Sequence, residues 1–168
     1  HNLFTTKDEH GNYKDMGRGA TGMGREFSEG RAKFKQTLYE QFLSLISYLA
    51  DNFKQSKIII RPHPVENKEV YYNIAAKHNN VEVVQEGNVI PWIRAATALI
   101  HSGCTTGIEA YLSNKPSISY VPVTDPRYGY DAIIPDQLSH QCSTPLEIAS
   151  TLDLYLNNTI PSLNSDVL

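Results

Sequence analysis

The chain has 168 residues, 40% of them apolar and 20% charged, with a formal net charge of −3. That is enough chain to bury a core as one globular domain, and too hydrophobic a composition for disorder throughout. No basic block is present, which argues against a dedicated nucleic-acid binder, and no apolar run approaches the length of a membrane span.

Residues 1–30 are polar and glycine-rich and read as a long loop or a partly ordered arm. Within it, Gly17-Arg-Gly-Ala-Thr-Gly22 fits the pattern G-x-G-x-x-G. The preceding NYKDM is no buried strand, so the context a dinucleotide fingerprint requires is missing and a flexible connection is the better reading. From residue 31 to 54, Phe34, Leu38, Phe42, Leu45, Leu49 and Phe53 recur at steps of three and four, which predicts a long amphipathic helix with one apolar stripe.

A strand is predicted at KIII (57–60), buried on both faces and ending at RPHP. A helix follows over 65–80, with Val70, Tyr71, Ile74 and Ala75 as its apolar face. VEVV (81–84) reads as a strand and IPWIRAA (90–96) as a short helix that tolerates Pro91 in its first turn. ALIH (98–101) is a strand, TTGIEAYLSN (105–114) a helix, and KPSISYVPV (115–123) contains a strand. Residues 124–143 read as a loop whose Pro, Gly and Tyr content suits a lid over a ligand as well as an inert connection. The last helix opens after Ser143 or Thr144, with Pro145 in its first turn and Glu147 following. Strands alternating with helices predict an α/β fold, a parallel sheet covered by helices on both faces.

In such a fold ligands bind beyond the carboxyl ends of the strands. Two predicted strand ends carry chemistry. The first presents Arg61, His63 and Pro64. The flanking prolines hold His63 in a stiff segment, suited to donate to a phosphate or a leaving group, and Arg61 can add a charge-assisted bond. The bland alternative is a histidine that bonds to backbone while the prolines stop the strand. The second end presents His101, Ser102, Gly103, Cys104, Thr105, Thr106 and Glu109. Gly103 permits a tight bend, the hydroxyls can donate, and amides at a helix start favour an anion. An ordinary strand-to-helix turn with a Ser or Thr cap would look the same. Glu109 either reaches a ribose hydroxyl pair or is a solvated helix residue. Cys104 sits where a thiol nucleophile could be activated, but no Cys-His-Asn pattern accompanies it. His101 is better read as a satisfied core histidine than as a catalyst. The histidines and carboxylates show no metal-ligand spacing. Cys104 and Cys142 share no CxxC motif and the start of the chain is unlike a signal peptide, so free thiols in a reducing, cytoplasmic setting are the simpler expectation, with a single disulfide the alternative.

The segments IIIRPHPVEN and GNVIPWIRAATALIHSGCTTGIEAYLSNKPSISYVP together resemble the C-terminal half of bacterial surface-carbohydrate biosynthesis proteins, similar to capsule Kdo-transferases and, more distantly, to sialyl- and polysialyltransferases. The resemblance covers residues 30–123 well and the rest loosely. It implies a GT-B glycosyltransferase, whose C-terminal Rossmann-like domain binds a nucleotide sugar, here a CMP-sugar, with no further cofactor. It implies that His63 and Pro64 form the family's HP motif, with His63 the catalytic residue. Ser102, Thr105 and Thr106 then correspond to the Ser/Thr motif, with Gly103 a further substrate-binding residue in the same turn, and Glu109 falls where the ribose is held. It further implies that residues 1–30 are a remnant strand (NLFTT) and arm, and that 31–168 are one nucleotide-sugar-binding domain. The acceptor-binding half and its catalytic base would lie outside this sequence, and a glycan or glycolipid acceptor would be reached at the inner face of the cytoplasmic membrane. The rival readings are a nucleotide-sugar 2-epimerase or hydrolase, a CDP-alcohol phosphotransferase of the same fold, and a non-catalytic nucleotide-binding module.

Overall fold

A computed structural model describes residues 5–7, 13–15, 25–64, 66–129 and 133–157. Strands β1 (Thr5–Lys7) and β2 (Tyr13–Asp15) pair antiparallel. Helix α1 (Arg25–Asn52) follows, then β3 (Ile58–Ile60), α2 (Lys68–Ala75), β4 (Val81–Val83), α3 (Ile90–Ala95), β5 (Leu99–His101) and α4 (Thr106–Leu112). The chain continues through β6 (Ser117–Tyr120), α5 (Ile133–Gln137), β7 (His140–Cys142) and α6 (Pro145–Leu156). The protein is α/β, with β3 and β4 in one parallel sheet and β5, β6 and β7, in that order, in another.

The single predicted sheet is therefore two hydrogen-bonded sheets of two and three strands. What joins them is α1. Its residues Leu45 and Leu49 pack with Ile118, Tyr120, Cys142, Ile148 and Tyr155, between the three-stranded sheet and α6. One position along, Ile46 and Ala50 pack with Ile60, Tyr71 and Val81, against the two-stranded sheet and α2. Phe42 and Ile58 border both clusters. The predicted stripe captured the first set and overlooked the second, because a helix shared between two sheets buries more than one stripe. The C-terminus of α1 is closed by Asn80, whose amide donates to Ala50 O and Phe53 O at 3.1 Å each, satisfying carbonyls that a helix end leaves without partners.

Strand β6 is buried along its length, and its alternation sorts two environments. Ile118 and Tyr120 face the apolar cluster with α1 and α6. Ser117 and Ser119 face the other way and bond to Ser139, beside α5, and to Asp136 on α5. Helices thus cover both faces of the three-stranded sheet.

Three further expectations need correction. The arm is not loop throughout: β1 and β2 pair within it, and α1 opens at Arg25, ahead of its predicted start. GRGATG lies outside the described residues. Residues 124–143 are not a plain loop, since α5 and β7 lie within them. Pro135 is compatible with α5 because it falls in the first turn, where its missing N–H costs nothing. Helix α2 is shorter than its predicted span, opening after Asn67, whose side chain accepts from Glu69 N. The last helix matches its sequence signature closely: Thr144 and Glu147 form a reciprocal capping box with Pro145 behind.

Leu45 is 1% exposed at the junction of α1 with the three-stranded sheet. Leu45→Ala is expected to destabilise the fold by about 2–5 kcal/mol. Denaturant titration followed by far-UV circular dichroism and by tyrosine fluorescence should show both traces moving together. A shift in one trace alone would mean that α1 does not hold the two sheets as one unit.

Candidate functional site

The first candidate segment leaves β3. Arg61 donates through Nη1 to Glu86 O (3.1 Å) and through Nη2 to Gly87 O (2.9 Å). Its Cζ lies 5.6 Å from the centre of the Trp92 ring on α3, a cation–π contact. The guanidinium fork proposed for a phosphate is thus engaged with main-chain carbonyls after β4, where Gly87 takes a φ of +77°. Arg61 fastens the end of β3 to the β4–α3 connection. Beyond it, His63 and Pro64 are exposed. His63 O accepts from Glu66 N at 2.9 Å, closing a turn with Pro64 at its second position, where proline's fixed φ is favoured.

The second segment leaves β5. Gly103 has a φ of +59°, so the bend expected there does require left-handed backbone. Thr105 is the residue before α4 and makes no side-chain capping bond. Ser102, Gly103 and Thr105 are exposed, while Thr106 and Glu109 are half-buried. Glu109 Oε2 is closed off from solvent and has no hydrogen-bond partner among the described residues. A carboxylate oxygen in that state is costly unless something else meets it. Gln85 Nε2, just after β4, is in the same position.

Under this turn sits His101, 4% exposed. Cys104 N–H donates to its Nδ1 at 3.4 Å, so Nδ1 is unprotonated and Nε2–H donates to Ser139 Oγ at 2.8 Å. Ser139 in turn donates to Pro135 O at 2.8 Å and meets Ser117 Oγ at 2.8 Å. The ring is neutral, bonded at both nitrogens, and shapes the Ser102–Thr106 turn from below. Gly107 is part of the same fit: a Cβ there would stand 2.5 Å from His101 Nε2. The sequence offered Gly107 only as one more small residue, and nothing in the spacing signalled that it faces a ring.

The two segments leave strands of different sheets. Helix α3 lies between them, with Trp92 against Arg61 on one side and α4 packed on the other. The first half of α1 approaches from elsewhere. Tyr128, in the segment after β6, stacks edge-on against Phe27 (5.1 Å) and lies over Gly30, where any side chain would overlap its hydroxyl. Part of the 124–143 segment is therefore docked on α1. No group of three or more metal-ligating side chains occurs among the described residues, and no helix among them is long and apolar enough to cross a membrane. Cys104 and Cys142 are both free thiols, and burial pushes the Cys142 thiol above its ordinary range. No family model matches the chain, and comparison with curated proteins and with solved structures also returns no match.

Two outcomes follow from His101. Gly107→Ala should destabilise by about 1–3 kcal/mol, the usual range for overpacking, read as a lowered denaturant midpoint. An unchanged midpoint would mean that the ring can move aside. Burial holds the His101 pKa below its ordinary 6.5, with Asp136 partly opposing. The unfolded chain therefore takes up a proton below about pH 6.5 that the folded chain does not. This contribution to stability is complete above that pH and is lost as pH falls from it toward the folded value. The slope contributed should approach, and not exceed, about 1.4 kcal/mol per pH unit. Thermal or denaturant midpoints between pH 7 and 5 should show it in the parent and not in His101→Gln.

Proposed function

We propose that this chain is the nucleotide-sugar-binding part of a GT-B-type glycosyltransferase acting in bacterial surface polysaccharide assembly, with a CMP-sugar as donor. The observation that carries the reading is the placement of both polar segments. RPHP and HSGCTTGIEA each leave the carboxyl end of a parallel strand, the position where open α/β folds bind ligands. A Rossmann-like arrangement of the domain belongs to the same proposal.

In this reading His63, exposed and held in a turn, donates to the departing nucleotide phosphate. The hydroxyls of Ser102, Thr105 and Thr106 and the backbone at Gly103 receive phosphate or base. Pro64 sets the turn, and Arg61 contributes positive charge nearby while it fastens the loop. Glycosyl transfer builds negative charge on the leaving nucleotide, so donors aimed at that oxygen lower the barrier. Sugar transfer itself would need an acceptor-binding half and a base that this sequence does not supply.

Calorimetric titration with CMP, CDP, UDP and GDP tests the reading. Binding that prefers a cytidine nucleotide, and that weakens about tenfold or more in His63→Ala, is the expected result. A purine or uridine preference would overturn the choice of donor. Absence of binding to all four would remove the support for a nucleotide site on this chain.

A further inference from the structure

The turn that carries His63 is fastened on both sides, and the second fastening has no part in the interactions of Arg61. Glu66, whose N–H closes the turn on His63 O, turns its carboxylate toward α2 and accepts from Tyr71 Oη at 2.6 Å. That is the length of a strong, charge-assisted bond. Tyr71 is 6% exposed, in the cluster that α1 shares with the two-stranded sheet. Its ring meets Tyr39 of α1 edge to face, centroids 6.1 Å apart and planes at 88°. A chain of fixed contacts therefore runs from α1 through Tyr39, Tyr71 and Glu66 to the backbone of His63. Packing alone does not require this. A phenylalanine at 71 would fill the same space and bury no hydroxyl, whereas a buried hydroxyl loses hydration and must regain it from a partner. What the hydroxyl adds is a fixed place for Glu66, and with it the last residue of the His63 turn. At its other side the turn is limited by Pro64, which restricts His63 itself to extended backbone.

We propose that Tyr71 and Glu66 are positioning residues, which act through the 63–66 turn to set the direction of the His63 imidazole. This rests on the nucleotide-site reading for its consequence in binding, but not for the coupling itself. The coupling can be read without any ligand. In NMR spectra of the full chain, the His63 ring signals are identified by their loss in His63→Ala. Tyr71→Phe and Glu66→Ala are each expected to shift those signals. Glu66→Gln, which keeps an oxygen for Tyr71 Oη to donate to, should restore the parent spectrum. The double change Tyr71→Phe/Glu66→Ala should add nothing to either single change, because both cut the same link. CMP affinity should fall about three- to tenfold in the two disruptive variants and recover in Glu66→Gln.

Unmoved His63 signals in both disruptive variants, whatever happens to the melting temperature, would overturn the proposal and leave Tyr71 a purely structural residue. Moved ring signals in a chain that binds no CMP would uphold the positioning link while the nucleotide reading falls. Tyr71→Phe keeps the ring against Tyr39, and Glu66→Ala alters only a half-buried loop side chain, so the two variants guard each other against a failure to fold.

Discussion

Most of this structure depends on one helix being buried on two adjacent stripes. The strands of each sheet are only three or four residues long, too short to be stable as isolated ribbons. Helix α1 is about 42 Å long at 1.5 Å per residue, and its second half supplies apolar side chains to both sheets at once. Leu45 and Leu49 belong to one cluster, Ile46 and Ala50 to the other, with Phe42 and Ile58 at the seam. Helix α6 adds Ile148 and Tyr155 to the first cluster and α2 adds Tyr71 to the second, while α1 contributes to both. The strand ends that carry the candidate chemistry are fixed relative to the rest of the molecule because both sheets lean on the same rod.

The interior is also unusual in being polar where it is deepest under the second candidate segment. Ser119 is fully buried and donates to Asp136 Oδ1 at 2.5 Å, while Ser117, Ser139 and His101 bond among themselves. Such a network stabilises only when each member is satisfied, and then it selects a single arrangement. Here Ser139 can accept from His101 and Ser117 while donating to Pro135 O, which uses its capacity fully. The orientation of His101 determines which nitrogen faces Cys104, and so the form of the turn above it. A loop of small, hydroxylated residues could take many shapes over a greasy floor. Over a ring of fixed tautomer it has fewer.

The alternation of strands and helices was legible because the strands KIII, VEVV, ALIH and SISY are short apolar or β-prone runs bounded by turn residues, and because α6 carries an unmistakable cap. Strand β7 was not legible. His140, Gln141 and Cys142 have no apolar pattern, and the strand exists through its pairing with β6 and through Tyr155 Oη, which meets His140 Nδ1 at 2.6 Å. Helix α5 was hidden by the Pro, Gly and Tyr content that made 124–143 read as a loop, although Pro135 falls in the first turn, where it is harmless. At the candidate site, the positions of His63, Gly103 and Thr105 follow from prolines, a glycine and a strand end, all visible in the sequence. The occupation of Arg61 by Glu86 O and Gly87 O is a contact across 25 residues that no local pattern announces. The same is true of Tyr71 and Glu66, whose bond depends on where α2 lies against α1.

The close approach of Gly107 to His101 has an implication for how this sequence can change. The two positions are six apart along the chain but act as one shape, a missing side chain opposite an imidazole. A residue larger than glycine at 107 displaces the imidazole at 101 or calls for something smaller there, and a smaller residue at 101 would leave the amide of Cys104 without its acceptor and take one partner from Ser139. Drift at either position is therefore barred unless several others move with it. In a set of sequences descended from this one, 101, 107 and 139 should be inherited as a block, and the histidine should survive for reasons of shape even in descendants that have lost whatever the turn above it binds.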